Sequence, residues 1–123
     1  MNTIKFSVIF RSPKYPVFVI DKERLFSAFS IDELAECCIS STPHNGRSIV
    51  QVVDASGEEF WYSPDQCALS PGFSFKKWTK KEIIEEYNNS INAQLSEQQY
   101  STKSISSKRL EKVVYDICNL LKP

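Results

Sequence analysis

The segment from Ile49 to Tyr62 constrains this chain more than any other. Ile49-Val50-Gln51-Val52-Val53 is β-branched and mostly apolar, the composition of a pleated, well-covered strand. Asp54-Ala55-Ser56-Gly57 follows. Asp and Ser side chains bond their own backbone, and glycine reaches positive φ without a Cβ clash. Glu58-Glu59-Phe60-Trp61-Tyr62 then returns as the partner strand, so the stretch predicts a hairpin with a loop slightly longer than two residues.

The elements around it read in the same way. Thr3 to Phe10 alternates, with Ile4, Phe6, Val8 and Phe10 on one face of a half-buried strand. Val17-Phe18-Val19-Ile20 is apolar on both faces, Asp21-Lys22-Glu23 is a polar turn, and Arg24 to Ala28 is read as a return strand. Ser30-Ile31-Asp32-Glu33 has the spacing of a capping box and opens a short helix with Leu34, Cys37 and Cys38 inward. Beyond the hairpin, Pro64 and Pro71-Gly72 bracket a loop containing Asp65, Gln66 and Cys67. Thr79-Lys80-Lys81-Glu82 is a second capping box, and Ile83, Ile84, Tyr87 and Ile91 fall on one face of the helix it starts. Residues 96–106 are polar and read as an exposed linker. Ser107 then opens a last helix whose stripe is Leu110, Val113, Val114, Ile117, Cys118, Leu120 and Leu121. A stripe of that width is costly to leave wet, at roughly 25 cal/mol per Å² of apolar area, so it docks on the sheet or on another molecule.

These readings predict one α+β domain over residues 1–123, sheet-rich through 75 and helical from 76. Its antiparallel sheet of four to five strands would pack with one short and two longer helices. A chain of 123 residues is one domain by length and can bury its own core. The 15 basic and 15 acidic residues balance, which argues against general binding to nucleic acid or a membrane surface. The balance is uneven along the chain: 6 basic residues face 9 acidic ones through residue 75, and 9 face 6 beyond it. No run approaches the ~20 apolar residues of a membrane helix. The apolar run from Phe6 to Phe10 is too short for a signal-peptide core, so a cytoplasmic protein is expected.

The chain has four cysteines and one histidine, with no Cys-x-x-Cys pair, so neither a zinc site nor another cofactor is expected. The thiols read as reduced and mostly buried. Cys67 with His44, oriented by Asp65, is the one possible thiol–imidazole arrangement. No family signature surrounds it, and a loop cysteine beside an unrelated turn histidine is the plainer reading. Asp54, Glu58 and Glu59 crowd one hairpin end, where solvation normally denies paired carboxylates a mechanistic role. None of the three glycines lies in a phosphate-loop pattern.

Two surfaces suggest binding instead. Phe73 to Lys81 interleaves rings with lysines, and Phe75, Lys76, Lys77, Trp78, Lys80 and Lys81 could stack bases and hold phosphates. The alternative is that the rings anchor in the core and the lysines stay in water. The triplet Phe60-Trp61-Tyr62 must place rings on both faces of its strand, so Trp61 is either core or an interface anchor.

Three segments carry a resemblance: Val53 to Phe60, Ala68 to Phe73, and Lys77-Trp78-Thr79-Lys80-Lys81-Glu82-Ile83-Ile84. Together, over the middle third of the chain, they resemble the small bacterial immunity proteins encoded beside polymorphic or contact-dependent growth-inhibition toxins. Those families share no universal motif, so no functional residue carries over. The resemblance implies a non-catalytic cytosolic protein that binds and blocks one toxin, commonly a nuclease. Against a basic nuclease, the expected contacts are the acidic Asp32, Glu33, Glu36, Asp54, Glu58 and Glu59. The alternatives are a small nucleic-acid-binding module built on the aromatic and basic stretch, and a cysteine-dependent enzyme built on Cys67.

Overall fold

The computed structural model describes residues 6–41, 48–72, 76–103 and 107–122. Its strands are β1 (Ser7–Val8), β2 (Val17–Asp21), β3 (Arg24–Ala28), β4 (Val50–Val53), β5 (Glu59–Ser63) and β6 (Ala68–Pro71). Its helices are α1 (Ile31–Ser40), α2 (Lys80–Asn88), α3 (Ile91–Ser96) and α4 (Leu110–Leu121). The six strands form one mixed sheet in the order β1-β6-β5-β4-β2-β3, so the protein is α+β.

The central hairpin forms as its residues predict. β4 and β5 pair antiparallel with Val50 opposite Tyr62 and Val53 opposite Glu59. Gly57 sits in the connecting turn at φ +84°, a conformation that suits glycine. The predicted antiparallel sheet of four to five strands gains two features. Ala68–Pro71, expected as loop, is a strand, with Pro71 at its end where a missing amide is tolerated. β1 adds outside it as the sheet's only parallel pair among the described residues, Ser7 opposite Ala68.

Strand alternation sorts the core into two layers. On one face, Val17, Val19, Val52, Phe60, Tyr62 and Leu69 are buried with Leu34 and Cys38 of α1. On the other, Phe18, Ile20, Leu25 and Val53 meet Ile83, Ile84 and Tyr87 of α2 and Val113, Val114, Ile117 and Cys118 of α4. The stripe of α4 thus docks on its own sheet, and the Cys118 thiol donates to the Val17 carbonyl at 3.4 Å. Leu120, counted in that stripe from sequence, lies at its solvent edge. α1 packs on β2 and β3 from the first face, while on the second α4 packs on β2 and β3, α3 on β3, and α2 on α3 and α4.

Local signals set the helix ends. The Thr79 hydroxyl accepts from the Glu82 amide, and the Glu82 carboxylate accepts from the Thr79 amide, completing the predicted box. At α1, Ser30 caps the Glu33 amide, but Glu33 reaches back to the Phe29 amide, one residue before the box position. The helix expected to run on through Ile91 breaks at Asn89 and restarts, because the Ser90 side chain caps Ala93. The last helix starts at Leu110 rather than Ser107.

Two residues ahead of it, Tyr100 and Lys108, are held against α4. Tyr100, within the expected linker, is buried, and its hydroxyl donates to Asp116 of α4 at 2.7 Å. Lys108 and Lys112 close on the same carboxylate at 3.0 and 2.9 Å. Burial pushes Asp116 upward, but the hydrogen bonds from Lys112, Tyr100 and Lys108 outweigh it and hold the acid at about 2. A depressed acid stabilises the fold above its unfolded value, near 3.8 here, and that contribution fades as pH falls through the folded value. Urea midpoints of the native chain and of Asp116→Asn should therefore differ at neutral pH and converge as the pH approaches 2. An unchanged gap at low pH would contradict the clasp.

Candidate functional site

The hairpin's chemistry is organised by one buried carboxylate. Glu59 lies on the same face of β5 as Trp61 and is only 5% exposed. Its Oε2 accepts from Trp61 Nε1 at 2.6 Å, and its Oε1 accepts from Trp78 Nε1 at 2.9 Å and Gln51 Nε2 at 3.3 Å. Both tryptophans of the chain therefore converge on one acid. Trp78 arrives there because residues 76–78 run beside the start of β5. The Trp78 amide donates to the Gly57 carbonyl at 2.7 Å, and Lys77 bridges to Glu58.

Trp61 is held on its other side too. A Cβ at Gly72 would stand 2.8 Å from Trp61 Nε1 and 3.0 Å from its Cε2, so the ring packs against a glycine that leaves it room. The cross-strand row through it reads Gln51, Trp61, Ser70, all half-buried. Two hollows border the residues that bond Glu59, one at Gln51 and one at Trp78. One, of about 860 Å³, is lined by Gln51, Ile20 and Ile91, by the acidic Asp21, Glu23 and Glu86, and by the basic Lys22 and Arg24. The other, of about 280 Å³, is lined by Lys76, Trp78, Glu82, Glu85, Glu86 and Asn89. Glu86 of α2 borders both, and Glu82 and Glu85 line the second. Hydrogen bonding to the Thr79 amide, then to Lys76, holds Glu82 below the ordinary carboxylate range, so it is anionic at neutral pH.

The six acidic residues expected as one contact face are divided. Asp32, Glu33 and Glu36 are exposed on α1, across the sheet from the tryptophans. Asp54 and Glu59, expected on a solvated hairpin end, are instead buried. Asp54, at 2% exposure, accepts from the amides of Lys14, Ser56 and Glu58 and from the Ser56 hydroxyl, which makes it the organiser of the turn. Glu58 is half-buried and pairs with Arg11. The signal for Asp54 was present in the sequence, since Asp followed by Ser two residues on is a turn-capping pattern. The signal for Glu59 was subtler: buried indole N–H groups need an acceptor.

The basic stretch is drawn into α2. Lys76 pairs with Glu82 at 3.0 Å and lies 4.8 Å over the Trp78 ring. Lys81 approaches Glu85 at 4.0 Å, and Lys80 donates to the Lys108 carbonyl at 2.8 Å. Lys77 is exposed, and Trp78 is core. Phe75 lies outside the described residues, as does His44, so the Cys67–His44 arrangement does too. Asp65 is exposed, and the Cys67 thiol donates to the Pro64 carbonyl at 3.6 Å in a turn where Cys67 takes φ +50°. Burial pushes Cys118 up to about 12 and raises Cys37 and Cys38 as well, so these three are protonated thiols at neutral pH. Among the described residues, no three metal-ligating side chains gather and no helix is long and apolar enough to cross a membrane.

No family model, curated protein or solved structure matches the chain.

Proposed function

We propose that the protein is a non-catalytic binding protein of the immunity type, which neutralises a cognate bacterial toxin in the cytoplasm by covering it. The observation that carries this reading is the half-buried Trp61 ring, held by Glu59 and set against Gly72, beside Gln51 in the same cross-strand row. An aromatic side chain whose orientation is set before binding loses little entropy on contact, the property of an interface anchor. The hollow at Gln51 has three carboxylates, Asp21, Glu23 and Glu86, against Lys22 and Arg24, a balance that suits a basic partner such as a nuclease and would speed its approach. The nucleic-acid reading is weaker, because three of the four lysines it needs, Lys76, Lys81 and Lys80, are drawn onto Glu82, Glu85 and the Lys108 carbonyl.

The test is co-expression with the product of the neighbouring upstream gene, followed by titration of the two purified proteins. Growth should be restored by the native chain. Trp61→Ala should weaken binding by about thirtyfold or more, the loss of a typical aromatic hot spot. Glu86→Lys should slow association at low salt. Cys67→Ala should protect as well as the native chain. A neighbouring product that neither harms growth nor binds would remove the proposal, and protection abolished by Cys67→Ala in a folded protein would favour the enzyme reading.

A further inference from the structure

The larger hollow adjoins the Trp61 anchor. Gln51, on its wall, stands directly opposite Trp61 in the β4–β5 ladder. Ile20 at the end of β2 and Ile91 at the start of α3 give the hollow an apolar lining. Two bonds hold its walls in place. The Ile91 amide donates to the Glu23 carbonyl at 2.9 Å, and the Leu25 amide donates to Asn92 Oδ1 at 2.8 Å. Together they tie the β2–β3 turn to the first turn of α3. A hollow of about 860 Å³, formed before binding and lined by apolar and convergent polar groups, has the size and make-up of a ligand site.

Gln51 brings an oriented acceptor to this hollow. Its Nε2 donates to Glu59 Oε1 at 3.3 Å, and no donor among the described residues takes its Oε1. Carboxylates reach the same space from two separate elements, Glu23 from the β2–β3 turn and Glu86 from α2. Acceptors on different walls around an apolar lining suit a long side chain that ends in several donors. Arginine has that form. Its aliphatic stem covers apolar surface, and its planar guanidinium donates to more than one acceptor at once. A lysine ammonium holds its water more tightly and gives up less of it on entry.

We propose that this hollow takes an arginine side chain of the protein partner that covers Trp61. The inference rests on the binding function proposed above and names the contact beside its anchor. One partner reaches both places because Gln51 and Trp61 are neighbours across the ladder. Aromatic residues and arginines are the side chains that dominate interface energies. The rim sets the sign of the site. Lys22 and Arg24 are exposed there and oppose an incoming cation, while Asp21, Glu23 and Glu86 draw it in.

The test uses the full chain alone. N-acetyl-arginine methylamide is titrated into isotope-labelled protein and followed by NMR, with N-acetyl-norleucine methylamide as the uncharged control. The arginine probe should give saturable shifts at the Gln51 side-chain amide and at the Glu23 and Ile91 amides, and the norleucine probe should not. Glu23→Gln should weaken the arginine probe and Arg24→Gln should tighten it, each by about two- to fivefold, the size of an exposed charge pair. Both side chains are exposed, so both variants should keep the native spectrum. An arginine probe that gives no saturable shift at these residues, or a norleucine probe that gives the same one, would overturn the proposal. Saturation at the hollow with no binding to the neighbouring gene's product would leave the arginine site standing and remove the immunity reading. Binding of that product through Trp61 with no response to the arginine probe would do the reverse.

Discussion

Replacing Glu59 with alanine is expected to destabilise the protein by about 3 kcal/mol, because hydrogen bonds to a charged acceptor contribute roughly 1.5–3 kcal/mol and a stranded buried donor costs roughly 1–3. The Trp78 indole N–H carries most of that loss. Its ring is 7% exposed, so water cannot replace the carboxylate. Trp61 and Gln51 are half-buried and recover part of their bonding from solvent. Glu59→Gln keeps one good acceptor and should cost about half as much. Both tryptophans report on the site, so urea unfolding followed by intrinsic fluorescence reads the change directly. A loss under about 1 kcal/mol for the alanine variant would mean that the indoles find other acceptors.

Gly57→Ala should be comparably damaging, at about 3 kcal/mol, from left-handed backbone strain of roughly 1–2 kcal/mol and crowding of similar size. The added Cβ would lie 2.8 Å from the Trp78 carbonyl oxygen and 3.2 Å from Leu110 Cδ1. The first of these is backbone, which cannot swing aside as a side-chain tip can. Relief requires moving residues 76–78 away from the hairpin, which breaks the 2.7 Å bond from the Trp78 amide to the Gly57 carbonyl. The variant should therefore show a red-shifted tryptophan emission as well as a lower urea midpoint. A native spectrum with native stability would show that the turn and the 76–78 strap adjust independently.

These two sites mark where sequence reasoning succeeded and where it stopped. The turn at Gly57 was legible because its requirement is local: four residues, a chirality and a known menu of turns. The Thr79–Glu82 box and the α4 stripe were legible for the same reason, each being a pattern within one element. Glu59 was not, because what buries it comes from three separate places, at Gln51, Trp61 and Trp78. A glutamate beside a hairpin tip looks solvated until Trp78 is known to fold back over it. Phe10 failed in the opposite direction. Alternation placed it with Phe6 and Val8, but the strand ends at Val8 and the turn that follows throws the ring outward. The β6 strand was hidden by its bracketing prolines, one of which sits inside the strand at its last position. The break between α2 and α3 was hidden because Ser90 reads as an ordinary polar position until its side chain is seen to cap a new start.

The β3 edge of the sheet is closed to other chains. Asn92 Oδ1 accepts the Leu25 amide at 2.8 Å, Glu33 Oε1 accepts the Phe29 amide at 2.8 Å, and the Cys37 thiol reaches the Ser27 carbonyl at 3.8 Å. Fibres propagate when each added molecule exposes, at its far side, the same docking feature that it has just filled. Removing the closure, for instance at Asn92, would return the Leu25 amide to an open edge that a strand from another molecule could pair.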